Sequence, residues 1–259
     1  MRVKRWTILF LCVLIVCTPG CSPTRSCSED PECTRVLFIG NSYTFVNDLP
    51  GTFASLAKAG GHRVETDVEA EGGWMLSDHA QSKATRDKIK ASEWDFVVLQ
   101  EQSQAPASEP VRVNQTYPAA RKLVAQIREA GAEPVFFDTW AHQTGWPENG
   151  LNSYESMQRQ INTGYLTIAR ELDARLSPVG YAWFAAREEN PQASLWQADG
   201  SHPSLQGTYL AACVFYAAIF EESPEGISYR NKLSKEEALW LQKIAADTVL
   251  DNKNKWNIE

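Results

Sequence analysis

Arg35-Val36-Leu37-Phe38-Ile39-Gly40-Asn41-Ser42-Tyr43-Thr44 is the stretch that decides how this chain folds. Four apolar residues run without a break into a glycine, and a helical pattern follows from about Pro50. An apolar run closed by a glycine turn reads as a strand covered on both faces, as in a parallel sheet. Such a strand delivers the Ser42 hydroxyl to the carboxyl edge of the sheet, where open α/β proteins place their chemistry. Gly-Asn-Ser is also ordinary turn composition, so this block alone does not make Ser42 a nucleophile. The far end of the chain supplies the missing groups. Asp199-Gly200-Ser201-His202-Pro203 sets a carboxylate and an imidazole three residues apart, just before an apolar helix that begins near Ser204. A nucleophile, its base and the group that orients the base need to meet in space, not in sequence.

Between these blocks the pattern alternates. A helix is predicted over 49–59, closed by Gly60-Gly61, and a strand over 62–70 from the alternation of Val64, Thr66 and Val68. Further strands are predicted over 94–100 and 134–138, both apolar. Helices are predicted over 76–92, 117–130 and 153–176, then over 204–220 and 234–250. Residues 178–186 read as a short last strand or turn leading into another helix. Strands alternating with helices imply a parallel sheet with helices on both faces and right-handed crossovers. The fold class expected is therefore α/β, a three-layer α/β/α sandwich around a central parallel sheet.

Taken together, the Gly40-Asn41-Ser42 block and the Asp199-x-x-His202 block resemble those of the SGNH (GDSL-like) hydrolases, and the resemblance spans about residues 35–220. It implies a flavodoxin-like sandwich and a serine esterase that uses no cofactor, with Ser42 attacking, His202 carrying the proton and Asp199 orienting the ring. It also implies an oxyanion hole made by the Ser42 and Gly73 backbone N–H groups and a side-chain amide. Family members carry that amide on the Asn of a Gly-x-Asn-Asp block. This chain has Glu101-Gln102-Ser103-Gln104 instead. Gln102 is the expected donor, with Gln100 and Gln104 as competitors, because Gln carries the same amide on a longer stem. Gly73 has a plainer reading, in which Gly72-Gly73 only makes a tight turn.

Family members cleave acyl esters of sugars, lipids and small alcohols. Trp74, Trp140 and Trp196 fall near the predicted catalytic loops, and aromatic faces pack against sugar rings, so the expected substrate is an acyl ester, O-acetyl in particular, on carbohydrate. Trp74, Trp140 and His142 are the substrate-binding candidates. For His142 the competing reading is a structural histidine, and for tryptophan a place in the core. The other function class open to such a chain is a glycan-binding protein that kept the fold and lost the activity.

With 259 residues, 43% of them hydrophobic and 22% charged, the chain suits one domain with a full-sized core. A net charge of -7 argues against a nucleic-acid partner. The first five residues include Arg2, Lys4 and Arg5, and Trp6 to Cys17 is apolar but short for a bilayer span. Thr18-Pro19-Gly20-Cys21 then resembles a bacterial lipoprotein box, with Thr18 where Leu is usual. The expectation is a signal peptide over 1–20, lipid on Cys21, a polar tether over 21–34 and the hydrolase domain over 35–259. That places the protein on the bacterial cell envelope, held to a membrane by its lipid. A simple secretory signal is the alternative. Cys27 and Cys33 are close enough to close a small loop in an oxidising compartment, and Cys213 reads as a buried small hydrophobe. Cys-x5-Cys without companion ligands is a poor metal signature, so no metal is expected.

Overall fold

The computed structural model describes Cys27 and residues 32–258. The leader, the Cys21 box and most of the tether lie outside the described residues. Five strands form one parallel sheet: β1 (Cys33–Gly40), β2 (Arg63–Ala70), β3 (Phe96–Leu99), β4 (Glu133–Phe137) and β5 (Arg175–Ser177). They lie in the order β2-β1-β3-β4-β5, and every pairing is parallel. β1 is central and buried from Val36 through Gly40, as its unbroken apolar run requires.

The helices are α1 (Ser42–Phe45), α2 (Leu49–Ala59), α3 (Leu76–Gln81), α4 (Lys83–Lys90), α5 (Glu109–Val111), α6 (Tyr117–Glu129), α7 (Tyr154–Glu171), α8 (Val179–Glu189), α9 (Leu205–Phe220) and α10 (Lys235–Leu250). They complete a three-layer α/β/α sandwich. α2 and α9 pack together, with α8 and α10 against α9, while α6 packs on β4 beside α3 and α4. α9 is buried from Gly207 to Ile219. A helix that is apolar all round belongs inside, and this one lies between α2, α8, α10 and the sheet. Phe215 from α9 meets Phe38 at 5.3 Å and Phe137 at 4.9 Å, edge to face, which joins the helix to the middle strands. Close approach at the start of α9 depends on Gly207, where a Cβ would stand 2.3 Å from the Leu195 carbonyl oxygen.

Three details differ from the sequence reading. β1 begins at Cys33, two residues inside the expected tether, because Cys33 and Thr34 pair with Arg63 and Val64. The helix expected over 76–92 is two helices, since Ser82 turns extended and its hydroxyl caps α4 by accepting the Thr85 N–H. The helix expected over 153–176 stops at Glu171. Asp173 takes a left-handed φ of 48° and the next residues form β5, so residues from Val179 onward are helix, not the last strand. Cys27 and Cys33 are joined by a disulfide, and Arg35 Nη2 donates to the Cys27 carbonyl at 2.6 Å. Cys213 is a buried free thiol.

Candidate active site

Ser42 stands at the carboxyl end of β1, the first residue of a one-turn helix. Three neighbours shape this turn. Gln100, at the end of β3, accepts the Asn41 N–H at 2.8 Å and the Thr44 hydroxyl at 2.9 Å on its Oε1. Asn41 Oδ1 accepts the Tyr43 N–H, and Asn41 Nδ2 donates to the Trp74 carbonyl. The fully buried His79 donates from Nε2 to the Gly40 carbonyl at 2.9 Å, leaving Nδ1 to accept the Thr85 hydroxyl at 3.0 Å. Burial holds the His79 pKa down, which fits an imidazole that must keep one acceptor nitrogen. Gly40 itself admits no side chain, because a Cβ would lie 2.4 Å from Gln100 Oε1.

The second loop brings the other groups to Ser42. Asp199 Oδ1 accepts the Ser201 and His202 N–H groups at 2.9 and 3.0 Å. Its Oδ2 lies 2.6 Å from His202 Nδ1. Carboxylate oxygens only accept, so Nδ1 carries the proton and Nε2, 2.9 Å from Ser42 Oγ, is free to accept from the hydroxyl. Burial pushes the Asp199 carboxyl up, but the hydrogen bonds from His202 and the two backbone N–H groups outweigh it and hold it below the ordinary carboxylate range. The loop is also tied from β4's side. Trp140 Nε1 donates to the Ser201 carbonyl, the Gln143 N–H to the Gly200 carbonyl, and Tyr43 Oη lies 2.8 Å from Ser201 Oγ.

Ser42 and His202 open into a cavity of about 250 Å³ lined also by Asn41, Tyr43, Gly73, Gln102, Ser103, Gln104, His142 and Ser201. No aliphatic side chain lines it. Among the described residues neither the Ser42 N–H nor the Gly73 N–H has an acceptor, and Gly73 holds a left-handed φ of 76° that suits glycine. Gln102 Oε1 accepts the Gln104 and Ala105 N–H groups at 2.8 and 3.1 Å, which fixes which end of the amide is oxygen. Its Nε2 is left facing Ser103 Oγ at 3.3 Å beside the cavity. Of the competitors, Gln100 is buried beneath the turn that carries Ser42, and Gln104 reaches the cavity with no side-chain hydrogen bond among the described residues.

The sequence-derived substrate residues divide. His142 lines the cavity with Nε2 3.1 Å from Ser103 Oγ; burial lowers its pKa, and the neighbouring His202 adds to this against the pull of Asp199. Trp74 is half-buried with its ring against His79. Trp140 is no platform. It is 0% exposed, stacked between Tyr43 at 4.6 Å and Trp183 at 4.2 Å, so neither face can meet a ligand. Trp196 is likewise buried, with its Nε1 donating to the Ala141 carbonyl. Tyr43, Ser103 and Ser201 were missed as lining residues. Two of them lie inside the very blocks that carry Ser42 and His202, and that adjacency was the available signal.

No protein-family model and no curated protein sequence matches the chain. Solved structures do. A protein described as an SGNH hydrolase from Slackia heliotrinireducens is 30% identical, with a TM-score of 0.62 over 72% of this chain and 99% of that one. A DUF4886 family protein from Bacteroides uniformis is 20% identical, with a TM-score of 0.71 over 84% of this chain and 95% of that one. A variant of an acetylxylan esterase from Geobacillus stearothermophilus is 16% identical, with a TM-score of 0.55 over 78% of this chain and 97% of that one. The chain belongs to the SGNH (GDSL-like) hydrolase superfamily, and its class is that of an esterase-type hydrolase.

Proposed function

We propose that this protein is a serine esterase that removes short acyl groups, acetyl above all, from a polar alcohol such as a sugar hydroxyl. The observation that carries the reading is the continuous hydrogen-bond chain Ser42 Oγ, His202 Nε2, His202 Nδ1, Asp199 Oδ2, at 2.9 and 2.6 Å. Ser42 attacks the ester carbonyl as His202 takes its proton. The same imidazole returns that proton to the leaving alcohol, and water then repeats the cycle on the acyl-enzyme. Asp199 fixes the tautomer and steadies the imidazolium. The oxyanion is received by the Ser42 and Gly73 N–H groups and by Gln102 Nε2, each donor contributing about 2.7–4 kcal/mol to the transition state.

The lining supports the substrate class. A cavity of about 250 Å³ lined by hydroxyl, amide and imidazole side chains and the Tyr43 ring has no aliphatic residue to bury a long acyl chain, and burial of methylene groups is what selects one. Gln104 and Ser201 offer hydrogen bonds to a hydroxylated alcohol. Lipid on Cys21, with residence at the bacterial cell envelope, completes the proposal. The test is hydrolysis of p-nitrophenyl acetate by the purified domain. Ser42→Ala and His202→Ala should abolish it with the fold intact, and Asp199→Asn should leave a weak residual rate. A wild-type domain that binds acetylated glycan without turning over either ester would instead be the binding protein of the alternative reading.

A further inference from the structure

Ser103 and His142 have no place in the reaction as written, yet both face the cavity. Ser103 is 8% exposed, and its Oγ lies within hydrogen-bond distance of Gln102 Nε2 at 3.3 Å and His142 Nε2 at 3.1 Å, with the Tyr43 hydroxyl also beside it. Gln102 Nε2 can only donate, so Ser103 Oγ accepts there. A neutral imidazole supplies an acceptor nitrogen, and burial keeps His142 on the neutral side. The hydroxyl proton of Ser103 then has a place to go, to His142 Nε2.

We infer that His142, acting through Ser103, is a positioning residue that fixes the Gln102 amide as an oxyanion donor. The inference rests on the assignment of Gln102 above. It accounts for how the longer glutamine stem serves in this site. A glutamine side chain has one more rotatable bond than an asparagine, and a donor that wanders gains little from pre-organisation. Here both ends of the amide are held. Oε1 is fixed by the Gln104 and Ala105 N–H groups, and one Nε2 proton by Ser103. The second Nε2 proton is the one left for the substrate. His142 is itself held in register with the Asp199–His202 loop, because the next residue, Gln143, donates its N–H to the Gly200 carbonyl at 2.8 Å. One loop thus aligns both the base and the third oxyanion donor.

The test is a double-mutant cycle on p-nitrophenyl acetate turnover. Gln102→Ala should lower kcat by ~10²-fold, as for loss of one oxyanion donor. His142→Ala and Ser103→Ala should each lower kcat by ~10-fold with KM unchanged, the signature of an interaction made in the transition state. In the Gln102→Ala background neither should have further effect. His142→Gln should recover most of the loss, since its amide oxygen reaches the position of the ring Nε2. A His142→Ala enzyme with raised KM and intact kcat would make His142 a substrate contact and overturn the inference. Losses that multiply in the double mutants would overturn it equally. Should His142→Ala not fold, the Ser103→Ala arm decides by the same criteria. If Gln102→Ala is silent while Ser42→Ala is dead, the positioning role falls and the esterase reading stands.

Discussion

Gln100 and Asn41, 59 residues apart in sequence, are joined by a 2.8 Å hydrogen bond from the Asn41 N–H to Gln100 Oε1, and the same oxygen accepts the Thr44 hydroxyl. Gln100 therefore acts from below on the turn that carries Ser42. Gln100→Leu would leave a buried N–H without its partner, which costs about 1–3 kcal/mol. The expected outcome is a lowered urea midpoint together with reduced kcat. Gln104→Ala, whose side chain has no hydrogen-bond partner among the described residues, should keep full stability. Equal stability in the two variants would remove the role given to Gln100.

Trp140 gives a contrasting case, because its importance is in packing. Truncation to Ala in the stack between Tyr43 and Trp183 should cost about 3–5 kcal/mol. Trp140→Phe keeps most of the stack but loses the bond from Nε1 to the Ser201 carbonyl. That variant should stay folded, with kcat reduced several-fold and KM for acetyl esters little changed. A selective rise in KM for the Phe variant would argue that the ring does meet substrate.

Acyl length should matter steeply. Across p-nitrophenyl acetate, butyrate and octanoate, kcat/KM is expected to fall by ~10-fold or more per step, because a cavity of about 250 Å³ with no aliphatic residue in its wall has neither room for added methylenes nor the ~0.8 kcal/mol that burying each would contribute. A rate that rises with chain length would point to an apolar channel and sink the short-acyl assignment.

Glu101 makes stability depend on pH in a direction unusual for a carboxylate. Burial pushes its pKa up to about 7 from 4.5, even though Oε1 accepts the Leu76 and Gln102 N–H groups. Oε2 is buried beside the Thr116 hydroxyl, and neither atom has a partner within hydrogen-bond distance among the described residues. Between those two pH values the folded chain holds a proton that the unfolded chain has released. Stability therefore falls as pH rises across this window, by up to about 3 kcal/mol, and stays lost above it. Asp138, buried and also raised, works in the same direction. Urea denaturation at pH 5 and pH 8 should show the wild type losing ~1–3 kcal/mol more than Glu101→Gln over that interval. Parallel losses would show that Glu101 is ionised throughout.

The sheet was legible because strand segments covered on both faces are apolar, as β1 is from Val36, β3 throughout and β4 from Pro134. The paired blocks around Ser42 and His202 were legible because their spacing survives translation into sequence. What escaped notice depends on tertiary contacts. Nothing local distinguishes a tryptophan in the core from one at a pocket wall, and Trp140 is buried only because Tyr43 and Trp183 close on its two faces. β5 has three residues and no alternation to read, so the helical pattern before it ran on until Asp173 turned left-handed. The division of labour among Gln100, Gln102 and Gln104 needed the positions of the backbone N–H groups they serve.

The disulfide between Cys27 and Cys33 fastens the incoming chain at the amino end of β1, while Ser42 leaves from its carboxyl end. Eight residues of strand separate those ends by roughly 25 Å. Five residues separate Cys21 from Cys27, a reach of at most ~22 Å. With a lipid on Cys21, the domain would stand base-down on its membrane with the catalytic mouth turned outward. The esters within its reach would then be those of material above the bilayer, and the lipids of the leaflet that holds the protein would lie behind it.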